Sequence, residues 1–271
     1  MIEKCLMAAT LLCWAVAAGA QVTLDAVPGG VTEIPLAPVD EPRPDAYFGL
    51  KRILVMQFGP QWVGLVGLPL DMVPGKYVIQ VRSEEKEDPI VHEFTVHPRR
   101  INEQVPVQLP DMPLQIPKID LAWREPLDAR LPLNPPVSAP ATPTFGRYQR
   151  ISDSESVYLQ FVTFRVDADT SVAAPGNGRV AAVRSHDTGT FVWIDHGMAL
   201  FTCIGPMTRT TVKQGDRIEL GRNIGKLVLD TMDEPRFLYW SVFFNGTAVN
   251  PFLVSDLVED TSRKPRQAGQ G

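Results

Sequence analysis

Arg179-Val180-Ala181-Ala182-Val183-Arg184-Ser185-His186-Asp187-Thr188-Gly189-Thr190-Phe191-Val192-Trp193-Ile194-Asp195 decides the fold class. Two runs rich in β-branched and aromatic residues, Arg179 to Arg184 and Phe191 to Asp195, flank a polar turn near Asp187 to Gly189. That pattern predicts an antiparallel hairpin. Working outward, strands are predicted at Ala199 to Ile204, Arg217 to Leu220, Lys226 to Leu229 and Arg236 to Phe244. The last ends at Asn245-Gly246, the strongest short signal for a tight hairpin turn. Asn245-Gly246-Thr247 also fits a glycosylation sequon, but the turn accounts for it. Toward the N-terminus, Leu50 to Phe58, Trp62 to Leu68, Lys76 to Arg82 and Ile90 to Val96 read as short strands. They are separated by Gly59-Pro60, Pro74-Gly75 and the charged run Glu84 to Asp88. No apolar period of 3.6 persists for three turns, so the chain is expected to be all-β, with residues 21–98 forming a small antiparallel sandwich-like domain. The cluster Glu84, Glu85, Glu87 and Asp88 reads as a solvated hairpin tip rather than a metal site.

The 271 residues carry 26 Lys+Arg against 31 Asp+Glu, a net charge of −5, with a pI near 5.4. At 44% hydrophobic residues the chain can bury a real core. Its mild acidity provides no concentrated basic surface for nucleic acid, so no nucleic-acid partner is expected.

Residues 1–20 have the form of a secretory signal peptide: Lys4, an apolar run from Leu6 to Ala18, and small residues at Ala18 and Ala20 before Gln21. That run is too short for a membrane anchor, which needs about 20 apolar residues. Leu11 and Leu12 before Cys13 do not suit a lipoprotein. The mature chain is therefore expected to be exported, periplasmic in a diderm bacterium, with no membrane span once the signal is removed. Cys5 and Cys13 leave with it. Cys203 is left alone within Leu200-Phe201-Thr202-Cys203-Ile204, where a buried, inert thiol is expected.

Ten of the 25 prolines fall between Asn102 and Thr144. Such spacing favours extended, polyproline-like chain. Residues 99–144 are read as a Pro-rich linker or arm, anchored at Ile116, Ile119, Leu121 and Trp123, with 132–143 as the linker proper. A domain over 145–258 and a polar, mobile tail over 259–271 complete the layout.

Five segments of the second domain carry a family resemblance. Phe145-Gly146-Arg147 stands at its opening; 169–180 matches G-T-P-V-x-A-x-x-x-G-x-V; 192–197 matches V-x-I-D-H-G; 212–218 matches V-x-x-G-D-x-V; and 240–251 ends on Val249-Asn250-Pro251. In this order and spacing they resemble the lysostaphin-type, LytM-like zinc metallopeptidases that cut peptidoglycan cross-links. The resemblance implies an antiparallel, duplicated-hybrid-motif-like sheet.

It also implies where a zinc site would sit. The family uses a His and an Asp four residues apart and the second His of a His-x-His pair, with further histidines assisting the bound water; such a site needs three protein ligands and one open position. Counting along the matched segments, the first His position falls on Leu159 and the Asp position on Thr163. The His on the neighbouring strand falls on Pro206, and the His-x-His pair on Phe237 and Tyr239. Leu, Pro and Phe offer no lone pair, and Thr and Tyr are poor zinc ligands. Among the four histidines, His92 and His97 are an odd number of residues apart and so face opposite sides of one strand. His186 would pair near Thr190, leaving His196 about 20 Å away at ~3.3 Å per residue. No G-x-S-x-G elbow or P-loop is present. No metal or other cofactor is expected, and the chain reads as a pseudoenzyme.

The substituted groove, lined by Tyr148, Leu159, Arg236, Phe237 and Tyr239, either fills in as ordinary core or offers an apolar surface to a partner. Degenerate LytM-like proteins activate peptidoglycan amidases. The resemblance therefore implies an envelope partner such as an amidase or other wall hydrolase. The other readings are an active zinc peptidase with a relocated site and a peptidoglycan-binding module.

Overall fold

The computed structural model describes residues 26–82, 88–99, 119–124, 130–150, 156–167, 169–227 and 236–257. The expected signal peptide at 1–20, residues 84, 85 and 87 of the acidic tip, Ile116 and the expected tail at 259–271 lie outside the described residues. Among those described, the chain is built of antiparallel sheets and one short 3-10 turn at Pro251–Leu253.

In the N-terminal domain, Gln61–Gly67 is the central strand between Val31–Pro38 and Leu54–Phe58. A second sheet runs Lys51–Arg52, Asp45–Phe48, Gly75–Arg82, Ile90–Val96. Strict alternation sets the burial of Gly75–Arg82: Ile79 and Val81 are buried, while Lys76, Val78, Gln80 and Arg82 are exposed. The two sheets close on Ile34, Ala46, Ile53, Val55, Val66, Leu68, Ile79, Val81 and Val96. The first sheet is covered on its other face too, because Val31, Leu54, Val63 and Leu65 belong to the core of the C-terminal domain. A strand buried on both faces needs a continuous apolar run, which Val63-Gly64-Leu65-Val66-Gly67-Leu68 supplies. The junction is close enough to require Gly67, since a Cβ there would lie 2.8 Å from Val249 Cγ1. Asn250 N donates to Gly29 O across it, at 3.1 Å.

The C-terminal domain is an eight-stranded sheet. Its path runs Arg217–Ile218, Gly178–His186, Gly189–Asp195, Leu200–Met207, Arg236–Phe244, Val162–Val166, Ala141–Thr142, with Thr247–Val249 also paired to Arg236–Phe244. The deciding hairpin forms one residue tighter than the sequence suggests, with Ser185 opposite Thr190 and His186 opposite Gly189. Asn245 and Gly246 take φ of 54° and 78°, the left-handed pair that a two-residue turn demands. Register assigns the two faces. Ile194, Thr202, Val242 and Val249 form one row, beside Ile204 and Trp240, on a face whose core also takes Val172, Ile224 and Leu227 from the smaller sheet Thr170–Ala173, Asn223–Leu227, Arg209–Thr210. The opposite face carries the rows Trp193–Cys203–Ser241, Asp195–Phe201–Phe243 and Gly205–Tyr239–Thr163.

Residues 130–145 do not behave as the linker expected of 132–143. Leu133, Val137, Ala141 and Phe145 are buried in the C-terminal core, and Ala141–Thr142 forms an edge strand beside Val162–Val166. Proline removes only a donor, so its carbonyl remains available: Ala173 N donates to Pro136 O at 2.8 Å. Between the prolines the other residues still donate, Leu133 N to Val254 O at 2.9 Å. Upstream, Ile119, Leu121 and Trp123 lie partly buried against the same core as an arm.

Candidate functional site

The five positions singled out above converge in part. Thr163 stands opposite Tyr239, and Tyr239 opposite Gly205, so these three form one row across neighbouring strands. Pro206 follows Gly205 on the strand Leu200–Met207, and Phe237 lies opposite Arg165. Leu159 follows the strand Ser156–Tyr158 and is held by its backbone: its N donates to Arg147 O, and its O accepts from Gly146 N, each at 2.8 Å. Leu159 and Thr163 are each 1% exposed and Tyr239 7%. Of the two outcomes open to this region, ordinary core or an apolar groove, the burial of these three side chains fits the first. Phe161 does much of the filling, its ring tilted against Tyr239 with centroids 5.1 Å apart. Sequence reasoning passed over Phe161, although its place midway between Leu159 and Thr163 puts it in the same alternation. Phe237 remains half-buried, as does Tyr148, which pairs with Tyr158. Arg236 opens its strand opposite Val166, and its side chain lies outside the described residues.

The histidines named above lie away from these positions. His196 is fully buried; its Nδ1 donates to Asn177 O at 2.6 Å, and Nε2 accepts from Thr202 Oγ1 at 2.9 Å. Burial lowers its pKa to about 4, only partly countered by the Asn177 bond, so the ring is neutral at pH 7 with both nitrogens engaged. His186 sits at the hairpin end near Thr188, and His92 lies opposite Ile79 in the other domain. Asp195 is 4% exposed. Its Oδ1 accepts from Gly197 N at 2.8 Å and its Oδ2 pairs with Arg124 Nε at 3.0 Å. Burial raises this carboxyl above its usual range, against the Gly197 bond and the nearby Arg124 and Arg179 charges. Asp195 thus ties the arm to the sheet, helped by Met198 N donating to Arg124 O at 2.8 Å and by the Arg52 guanidinium 3.7 Å over the Trp123 ring. Among the described residues, no three His, Cys, Asp or Glu side chains lie close enough to share a metal ion. Cys203 is buried, and desolvation raises its thiol pKa.

Residues 160–251 match the model of Peptidase family M23, and residues 25–98 match that of the Peptidase family M23 N-terminal domain. The chain belongs to peptidase family M23. The two matches fall on the two sheet systems of this M23 protein in order. No curated protein matches the chain at a significant level. Among solved structures, a Pseudomonas aeruginosa protein assigned to peptidase M23 superposes with a TM-score of 0.66 at 23% identity, covering 86% of this chain and 95% of that one. Lysostaphin, an antimicrobial peptidase from Staphylococcus simulans, covers 52% of this chain and 59% of its own at 18% identity and a TM-score of 0.36. A chain of the SpoIIQ–SpoIIIAH pore-forming complex covers 49% and 96% at 16% identity and 0.38. At 23% identity the likeness to the Pseudomonas aeruginosa protein is one of fold.

Proposed function

We propose that this M23 chain is a non-catalytic, exported protein of the cell envelope that binds or regulates a peptidoglycan hydrolase or the wall-building machinery. One observation carries the reading. The positions where family resemblance places metal ligands and catalytic histidines hold Leu159, Thr163, Pro206, Phe237 and Tyr239, and three of these are packed into the core. A hydrolytic zinc site needs lone pairs around an open coordination position. Here the same region is an apolar wall consolidated by Phe161 and Tyr239. The two M23 domains remain joined through a shared core, so the scaffold is retained as a body able to present a surface.

The test uses the purified mature chain with dye-labelled peptidoglycan sacculi, alone and with a purified wall amidase. The expected result is no dye release by the chain alone and accelerated release by the amidase in its presence. Chelator-sensitive release by the chain alone would replace this reading with an active zinc peptidase. Sedimentation with sacculi but no effect on any hydrolase would favour a wall-binding module.

A further inference from the structure

The arm is seated on the sheet in the manner of a bound peptide. Residues 119–124 belong to no strand, yet their side chains alternate: Ile119, Leu121 and Trp123 are half-buried, while Asp120, Ala122 and Arg124 are exposed. Ile119 and Leu121 close one side of a cavity lined by Phe161, Trp193 and Phe243 of the large sheet. At the other end of the arm a single residue is gripped twice. Arg124 Nε pairs with Asp195 Oδ2 at 3.0 Å, and Arg124 O accepts from Met198 N at 2.8 Å.

The receiving corner is built by the sheet and not by the arm. Asp195 closes the strand Gly189–Asp195, its side chain is 6% exposed, and Gly197 N holds Oδ1, which leaves Oδ2 for a cation. Gly197, Met198 and Ala199 follow with φ of 86°, 51° and 59°, three left-handed residues in succession. Such backbone persists only where its surroundings fix it. Here His196 N donates to Leu200 O, Leu200 N to Gly197 O and Asn245 N to Ala199 O, at 2.9, 2.9 and 3.0 Å. Arg179 stands opposite Asp195 on the neighbouring strand but makes no ion pair with it; among the described residues the pairing cation is the one the arm brings. The arm itself is held lightly. Arg124 is 61% exposed, and neither an exposed ion pair nor the Arg52–Trp123 contact is strong. Segments with so few buried contacts open locally while the rest stays folded.

We infer that the corner 195–199 is a binding site for an arginine in an extended polypeptide, filled in the free chain by Arg124 of its own arm. A partner segment with apolar residues at alternate positions, followed by an aromatic residue and arginine, takes the arm's place. Arg124 donates through Nε, a group that lysine lacks, so that the side chain and carbonyl of one residue reach the corner together. That the incoming segment belongs to a protein partner rests on the function proposed above.

The experiment measures binding of a dye-labelled peptide, acetyl-Ile-Asp-Leu-Ala-Trp-Arg-amide, to the full mature chain by fluorescence anisotropy. Exchange of the Met198 amide is followed by NMR in the same samples. A tethered arm competes at an effective concentration of about millimolar, so the natural chain should bind the peptide about tenfold or more weakly than a chain carrying Trp123→Ala and Arg124→Ala. In that double variant the Met198 amide loses protection, and the peptide restores it. The same peptide ending in lysine should bind about tenfold more weakly. Asp195→Asn, added to the double variant, should abolish binding; should it fail to fold, the arginine and lysine peptides on the double variant carry the test. Equal binding to the natural chain and the double variant, equal affinity for the two peptides, or a Met198 amide that the peptide leaves unprotected each overturns the inference. A chain that binds the peptide yet alters no wall hydrolase would sink the regulatory reading and leave this site standing.

Discussion

If His196 is a structural residue and not a ligand or base, acid should expose the fact. Its folded-state pKa is about 4, lowered chiefly by burial, against about 6.5 in an unfolded chain. A depressed histidine pKa means that the unfolded chain takes up the proton first as pH falls. Stability is therefore fully present above pH ~6.5 and is lost as pH drops toward 4. The full difference corresponds to about 3 kcal/mol, of which about 2 kcal/mol is gone by pH 5. Other groups titrate in this window; burial raises the Asp195 and Glu33 carboxyls, which acts in the opposite direction. The comparison is therefore between the natural chain and His196→Gln, in which those groups are common to both. Guanidinium unfolding at pH 7.5, 6.5, 5.5 and 5.0 should show His196→Gln less stable at pH 7.5, with the gap narrowing by about 2 kcal/mol at pH 5.0. A gap that stays constant or widens on acidification would refute a buried neutral His196 held between Asn177 and Thr202.

Leu133→Ala tests whether 130–145 is core: a loss of about 2–5 kcal/mol in denaturant unfolding is expected, against almost none if the segment were a free linker. Trp123→Ala removes the Arg52 contact, about 0.5–1 kcal/mol at a partly exposed site, and should deprotect the Met198 amide in hydrogen exchange while leaving amides of the central strands protected. Cys203 should resist an aromatic disulfide reagent in the native chain and react at once in denaturant; rapid native labelling would contradict its burial.

Much of the fold could be read from the residues because local signals agreed with the tertiary outcome. The 179–195 hairpin, the Asn245-Gly246 turn and the Ile79/Val81 alternation needed no distant partner to declare themselves. The misreadings have a common cause. Val31–Pro38 and Asp45–Phe48 form strands despite Pro35 and an opening Asp45, and 130–145 packs despite its prolines, because carbonyls can accept bonds and apolar side chains can be buried without a proline N–H. Leu50 to Phe58, read as one strand, divides between two sheets at Ile53, whose N donates to Ala46 O. At the candidate site, the residue types told against metal binding, but nothing local showed that Phe161 would lie on Tyr239. Nor could one segment show that residues as far apart as Lys51, Leu121 and Thr247 would line one cavity.

With Leu159, Thr163, Pro206, Phe237 and Tyr239 at the positions where the resemblance places ligands, the chain proposed above to be non-catalytic should hold no hydrolytic zinc. The most direct measurement is elemental analysis of the mature protein after dialysis against zinc, with activity on sacculi followed in the same sample. Zinc far below one equivalent and no lysis, with or without added metal, are the expected results. Zinc near one equivalent, removed by chelator together with a lytic activity, would contradict it.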